Sequence, residues 1–85
     1  MNNKLLPIGS IIKVHDSDLY FMINGYVDRN KKIEDEYFDY FCCIYPMGID
    51  GTNSVLVNKD KIEKVIFIGY QDDKFEKFIE LLNNK

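Results

Sequence analysis

The segment Leu5-Leu6-Pro7-Ile8-Gly9-Ser10-Ile11-Ile12-Lys13-Val14 decides how this chain is expected to fold. Pro7 fixes its own φ angle and has no N–H to donate, and Gly9 permits a sharp bend. Three β-branched residues follow in the second half of the segment, and such residues fit the pleated surface of a sheet. The segment therefore predicts a strand that the chain enters through a fixed corner.

A second apolar run, residues 19–27, can fold straight back on this strand across Asp16-Ser17-Asp18. The expected hairpin pairs residues 10–15 with residues 19–24. Asn24-Gly25 allows two interpretations, a type I′ hairpin turn or a bulge within one long bent strand. We favour the bulge, because the apolar pair that follows is too short to form a second arm before the next polar run.

Residues 37–45 have the strongest strand composition in the chain, with apolar side chains at both odd and even positions. Such a strand is expected to be central in a sheet or covered on both faces. The following residues, 46–53, contain Pro, two Gly, Asp and Asn, and this composition predicts a loop.

The second half of the chain supplies two further predicted strands, at residues 54–58 and 64–70. Between them, residues 59–63 suggest a single helical or 3₁₀ turn, with Asn58 in a cap-like position. Gly69 permits a bend where the last strand ends.

A helix is predicted for residues 72–83, with Asp73 as its cap and Glu76 completing a capping box. Its apolar residues recur at intervals of three and four, which places them on one stripe: Phe75, Phe78, Ile79 and Leu82. A helix of this length is marginal in water, so the stripe must pack against something. The candidates are an open end or face of the sheet, or a partner protein.

These elements predict one mainly β domain with α+β character over residues 1–85, with a β region at 5–70 followed by the helix. Bent strands with glycine corners suggest a small SH3-like barrel of about five strands. A strongly bent antiparallel sheet with a C-terminal α-helix is the alternative.

Composition argues against several classes of function. The net charge is −3 and the pI is about 5.0, whereas nucleic-acid binding and attraction to anionic membranes both favour a basic surface. No apolar run approaches the roughly 20 residues of a membrane span, and no signal peptide is apparent. We expect a cytoplasmic protein without membrane insertion, whose oligomeric state the sequence leaves open.

No residue pattern points to catalysis, a cofactor or a metal. Cys42 and Cys43 are adjacent, so a strand would point them to opposite faces as reduced packing residues. His15 has no recognisable catalytic or metal-binding partner. Asp16-Ser17-Asp18 and Asp50-Gly51-Thr52-Asn53 are typical of turns, and neither completes a cation site. We expect a protein that is not an enzyme.

Two surface features are candidates for contact with a protein partner. Glu34, Asp35 and Glu36 form an acidic patch, which is either simply solvated or a docking surface for a basic partner. Met47 and Ile49 are apolar residues in a glycine-containing loop. They either fold back onto the core or contribute to an interaction surface.

Most of the chain, from about residue 5 to residue 72, resembles the small proteins of domain-of-unknown-function family 4176. The matching segments, in order, are Leu5-Leu6-Pro7-Ile8-Gly9-Ser10-Ile11-Ile12, Phe21-Met22-Ile23-Asn24-Gly25, residues 37–46 with Gly48, and Val65-Ile66-Phe67-Ile68-Gly69-Tyr70. At Tyr26 the chain departs from the family, whose members usually have an Arg after the glycine.

The resemblance implies an accessory component of a type VII secretion system in Gram-positive bacteria, encoded beside a toxin with an LXG domain. The expected function is an adaptor or chaperone that binds the toxin or a secretion component. One alternative is an immunity protein that neutralises a toxin, since acidic patches suit basic toxin sites. Another is a nucleic-acid-binding small barrel with stacking Tyr and Phe residues.

Overall fold

A computed structural model describes residues 5–28, 30–51 and 54–83. Within these ranges five strands form one antiparallel sheet, and a single α-helix follows it. The elements are β1 (Ile11–Val14), β2 (Tyr20–Tyr26), β3 (Tyr40–Tyr45), β4 (Val55–Val57), a 3₁₀ turn (Lys59–Lys61), β5 (Ile62–Phe67) and α1 (Asp73–Asn83).

The strand order is β4-β3-β2-β1-β5, and the sheet is open. Closure into a barrel would require β4 to pair with β5, but these strands form the two opposite edges. The expectation of a bent antiparallel sheet with a C-terminal helix is therefore confirmed, and the SH3-like barrel is not formed. β3 lies between β2 and β4, so its predicted central position is also confirmed.

The predicted corner before β1 is a tight turn joined to a bulge. The Ser10 N–H donates to the Pro7 carbonyl at 3.2 Å, and Gly9 has φ +93°. Gly9 donates its N–H to the Ile23 carbonyl, and Ile23 donates its own N–H to the Ser10 carbonyl. Gly9 and Ser10 thus oppose one residue of β2, in an arrangement that needs a positive φ at its first residue.

The Asn24-Gly25 pair forms a bulge, as favoured above. Ile23 pairs with Cys42 and Gly25 with Phe41, so Asn24 is the extra residue and β2 runs on to Tyr26. The bend this introduces turns the end of β2 towards the N-terminal segment. The Tyr26 hydroxyl donates to the Leu6 carbonyl there, and the Leu6 N–H donates to the Tyr40 hydroxyl.

The core lies between one face of the sheet and α1. Cross-strand partners share a face, so the register assigns each strand residue to one side. The core-facing residues in buried positions are Ile12, Phe21, Ile23, Tyr40, Cys42 and Val57, which pack with Leu5 and Ile79. Ile79 belongs to the predicted helix stripe, so the helix covers a face of its own sheet.

The helix cap differs by one residue from the prediction. The Asp72 carboxylate accepts from the Phe75 N–H at 3.1 Å, which makes Asp72 the cap instead of Asp73. Two acidic residues are adjacent here, and the sequence pattern alone does not distinguish them. The stripe itself is as predicted, although Phe78 remains half-exposed with its ring 5.7 Å from that of Tyr26.

The strand boundaries in the structure differ from those predicted, because pairing partners set them. β3 starts at Tyr40 and not at residue 37, and β5 covers Ile62–Phe67 and not residues 64–70. β5 extends only as far as it pairs with β1, from Ile62, which pairs with Val14, to Phe67, which pairs with Ile11. Along this ladder β5 has two register shifts, which leave Glu63 and Ile66 as extra residues without a partner on β1.

The short turn before β5 spans three residues, fewer than predicted. Asn58 occupies its cap position but makes no side-chain cap bond. The first N–H of the turn, from Lys59, donates instead to the Asp39 carboxylate at 2.8 Å. A residue distant in sequence therefore replaces the expected local cap.

Candidate protein-binding face

The face of the sheet opposite α1 is also largely apolar. The register places on it three rows of side chains that run across the strands: Tyr45, Tyr20, Lys13 and Lys64; Cys43, Met22, Ile11 and Phe67; and Leu56, Phe41 and Gly25. We call these residues the open sheet face. None of them belongs to the buried core cluster beneath the helix.

The middle row of the open sheet face is apolar from β3 to β5. Cys43 and Ile11 are buried, Met22 is half-buried, and Phe67 is 60% exposed at the edge. The neighbouring row adds the exposed rings of Tyr20 and Tyr45. This second apolar face explains why residues 37–45 lack polar alternation.

The loop 46–51 forms a wall beside this face. The Gly48 N–H donates to the Ile44 carbonyl at 2.9 Å, and Gly48 has φ +78°. Two hollows, of about 430 and 160 Å³, lie between the loop and the sheet. Cys43 lines both of them, and Ile49 lines the larger together with Phe41.

Met47 and Ile49 do not fold back onto the core, which was the first of the two alternatives given for them. Met47 is 67% exposed and Ile49 is 72% exposed, and neither belongs to the core. Their loop extends the apolar surface of the open sheet face. Thr52 and Asn53, in the sequence proposed above as a turn, lie outside the described residues.

A small group of charges borders the apolar row. Lys13 pairs across the strands with Lys64, so both lysines lie on the open sheet face. The Lys13 ammonium is 3.1 Å from a Glu63 carboxylate oxygen, and the His15 Nδ1 is 3.6 Å from the same oxygen. Two lysines beside one paired carboxylate make this border locally positive, in contrast to the net charge of the chain.

The acidic patch lies in a different place. Ile33 and Glu36 form an isolated bridge with backbone hydrogen bonds in both directions, and Glu34 and Asp35 between them have φ +51° and +67°. Glu34, Asp35 and Glu36 are all exposed. They precede β3, whereas Met47 and Ile49 follow it, so the two candidate surfaces are connected to opposite ends of that strand.

The two cysteines face opposite sides of the sheet and are both buried and free. Burial raises the pKa of the Cys42 thiol to about 12, which keeps it protonated and poorly reactive. Asp16, with φ +67°, lies in the turn before β2, where the Leu19 N–H donates to the Ser17 hydroxyl. Across the described ranges, no three His, Cys, Asp or Glu side chains cluster as metal ligands would.

The description "Domain of unknown function (DUF4176)" belongs to a family model that matches residues 5–78. The chain belongs to the DUF4176 family. No curated protein and no solved structure matches this DUF4176 chain. The matched range begins at the buried Leu5 and ends within α1, so it includes the whole sheet.

Sequence reasoning on this DUF4176 domain located the exposed loop but missed the apolar row to which it is joined. Met22, Ile11 and Phe67 come from three strands, and only the register brings them into line. The available signal was the apolar composition of both faces of β3. In the part of the chain that the structure describes, no helix combines the length and apolar character needed to cross a membrane.

Proposed function

We propose that this protein is a non-enzymatic accessory protein of a type VII secretion locus, which binds an LXG-type toxin or a secretion component as an adaptor or chaperone. The open sheet face is the observation that supports a binding role. The family resemblance supplies the class of partner. Cytoplasmic residence follows from the same proposal, since a targeting factor meets its cargo before export.

The composition of the open sheet face is suited to protein contact. Aromatic residues and Met are enriched at protein interfaces, and this face carries Tyr20, Tyr45, Phe67 and Met22. Exposed apolar patches on small proteins are characteristic of interaction sites. The exposed Met47 and Ile49 extend the same surface, which gives the loop a role at its edge.

Co-purification with the LXG protein encoded at the same locus tests the proposal. We expect wild-type protein to be retained, and the double variant Met47→Ser/Ile49→Ser to lose retention while its thermal midpoint stays unchanged. Leu81→Ser is the matched control, because Leu81 is also 67% exposed but lies on α1. Absence of a complex between the wild-type protein and any product of the locus would contradict the proposal.

The acidic turn favours a second candidate, an immunity protein that covers a basic toxin site. Glu34, Asp35 and Glu36 are all exposed, and the amides Gln and Asn match them in size and lack only the charge, so replacing them should not weaken the fold. Wild-type protein should then protect cells that express the toxin, and Glu34→Gln/Asp35→Asn/Glu36→Gln should not. If wild-type protein supports export but gives no protection, this candidate is wrong.

A further inference from the structure

We propose that the open sheet face binds one amphipathic α-helix of a partner protein, with an acidic residue of that helix positioned over Lys13 and Lys64. This inference rests on the proposed binding function and specifies the site and the shape of the bound segment. Three features of the face support the inference, namely its width, the loop beside it and the charges at its border.

The three inner strands of the face, β3, β2 and β1, are together about as wide as one helix. Neighbouring strands are about 4.8 Å apart, so β3 and β1 are separated by roughly 10 Å. A helix with its side chains is about 10–12 Å across. On the other face of the same sheet α1 already packs in this way through Ile79, with an apolar stripe at intervals of three and four residues. Among the described residues, one face of the sheet thus packs against a helix and the other face does not.

The loop 46–51 argues against a second sheet as the occupant. It stands beside β3 and encloses two hollows against Cys43, so the face is not flat. Sheet-on-sheet packing needs contact across several strands at a uniform distance of about 10 Å. A helix requires only the channel between the loop and Phe67, and its side chains can enter the hollows.

The charges at the border indicate which charge the bound helix should carry on its flank. Lys13 and Lys64 are cross-strand neighbours, and of the two only Lys13 is joined to Glu63 by a described ion pair. A carboxylate on the flank of the bound helix, between the two ammonium groups, would balance the charge of two lysines whose only described ion pair is with Glu63. A lysine there would add a third ammonium group beside that one carboxylate, so the face should distinguish acidic from basic helices.

Two synthetic helical peptides of 18 residues test this inference. Both carry a leucine stripe at intervals of three and four, and their flanks carry either Glu or Lys. In a ¹⁵N NMR titration of the intact protein, we expect the Glu peptide to shift the amides of Met22, Cys43 and Phe67. The Lys peptide should bind at least tenfold more weakly. Equal binding of both peptides, or shifts confined to α1, would overturn the inference.

Two variants sharpen the result. Lys64→Glu should reverse the preference, so that the Lys peptide binds more tightly than the Glu peptide. Phe67→Asp should weaken binding of the Glu peptide tenfold or more, because it removes an exposed ring and adds a repelling charge. Leu81→Asp is the control of similar exposure on α1 and should bind like wild type. An unchanged preference in Lys64→Glu would overturn the proposed position of the acidic residue.

The LXG protein and an oligothymidine separate failure of this inference from failure of the proposed function. If the LXG protein is retained equally by wild type, Phe67→Asp and Lys64→Glu, partner binding stands and the proposed face is wrong. If neither the peptides nor the LXG protein bind, both proposals fail. If the face binds oligothymidine with strong salt dependence and neither peptide, the exposed tyrosines stack on bases and the helix proposal is wrong.

Discussion

Ser10 and Gly69 are the residues where the two ends of the sheet region meet. The buried Ser10 hydroxyl accepts a hydrogen bond from the Gly69 N–H at 3.0 Å. A Cβ placed on Gly69 would lie 2.2 Å from the Ile8 carbonyl oxygen. The sequence suggested only that Gly69 permits a bend. In the structure its main role is to let two backbone segments approach each other closely.

We therefore expect Gly69→Ala to lower the free energy of unfolding by about 1–3 kcal/mol or more, because backbone atoms must move to admit the methyl group. Gly25→Ala is the control, since its added Cβ would meet Phe41 at an ordinary distance of 3.5 Å. Urea unfolding followed by circular dichroism measures both variants. Similar losses in the two proteins would show that the close approach at Gly69 does not limit stability.

Helix α1 shows what the sequence can and cannot specify about an element. Its stripe was predictable because intervals of three and four residues have one simple explanation. Its cap was wrong by one residue because two neighbouring aspartates fit the same pattern. For the strands, the central position of β3 followed from its composition. The ends of β5 could not be predicted from its composition, since they depend on pairing with β1 and on two bulges that no local pattern marks.

The contribution of α1 to stability can be measured at two leucine-sized positions. Ile79 is buried on the core side, and Leu81 is exposed on the same helix. We expect Ile79→Ala to lower the free energy of unfolding by about 2–5 kcal/mol, and Leu81→Ala by less than about 0.5 kcal/mol. Chemical denaturation gives both values. A small effect at Ile79 would mean that the helix does not hold the core together in solution.

At the scale of the whole molecule, the described residues form a sheet with two apolar faces and one α-helix. The two-faced composition was visible in the sequence as the missing alternation in β3. The sequence did not show which residues would lie on the open face, because the bulges at Asn24, Glu63 and Ile66 change the alignment of each strand with its neighbours. The candidate surface therefore depends on the assembled sheet and on no single motif.

Two hydroxyls and one thiol in or beside the core, those of Tyr26, Tyr40 and Cys42, predict a loss of stability at alkaline pH. Burial raises the pKa of Tyr26 to about 12, raises that of Tyr40, and raises that of Cys42 to about 12. The folded state thus favours the protonated forms. The contribution of these groups to the free energy of unfolding is fully present below their pKa values in the unfolded chain, about 9 for the thiol and 10 for the tyrosines. It is lost as pH rises towards 12.

The urea midpoint should accordingly be steady near neutral pH and fall between pH 9 and 12. Tyr26→Phe removes one of the responsible groups, so its midpoint should fall less steeply than that of wild type over this interval. Tyr70→Phe alters a ring that is largely exposed and should follow the wild-type slope. Identical slopes in all three proteins would exclude Tyr26 as a source of the effect.

The two bulges of β5 also bear on self-assembly. Residues 65–68, Val-Ile-Phe-Ile, contain no charge, glycine or proline, and the first three of them belong to the edge strand β5. Uncharged, β-branched and aromatic residues on a sheet edge favour pairing with further chains in cross-β fibrils. A fibril requires strands in regular register, and the extra residues Glu63 and Ile66 interrupt that register within the edge. While β5 remains bound to β1, we expect these bulges to disfavour the growth of a fibril from this edge.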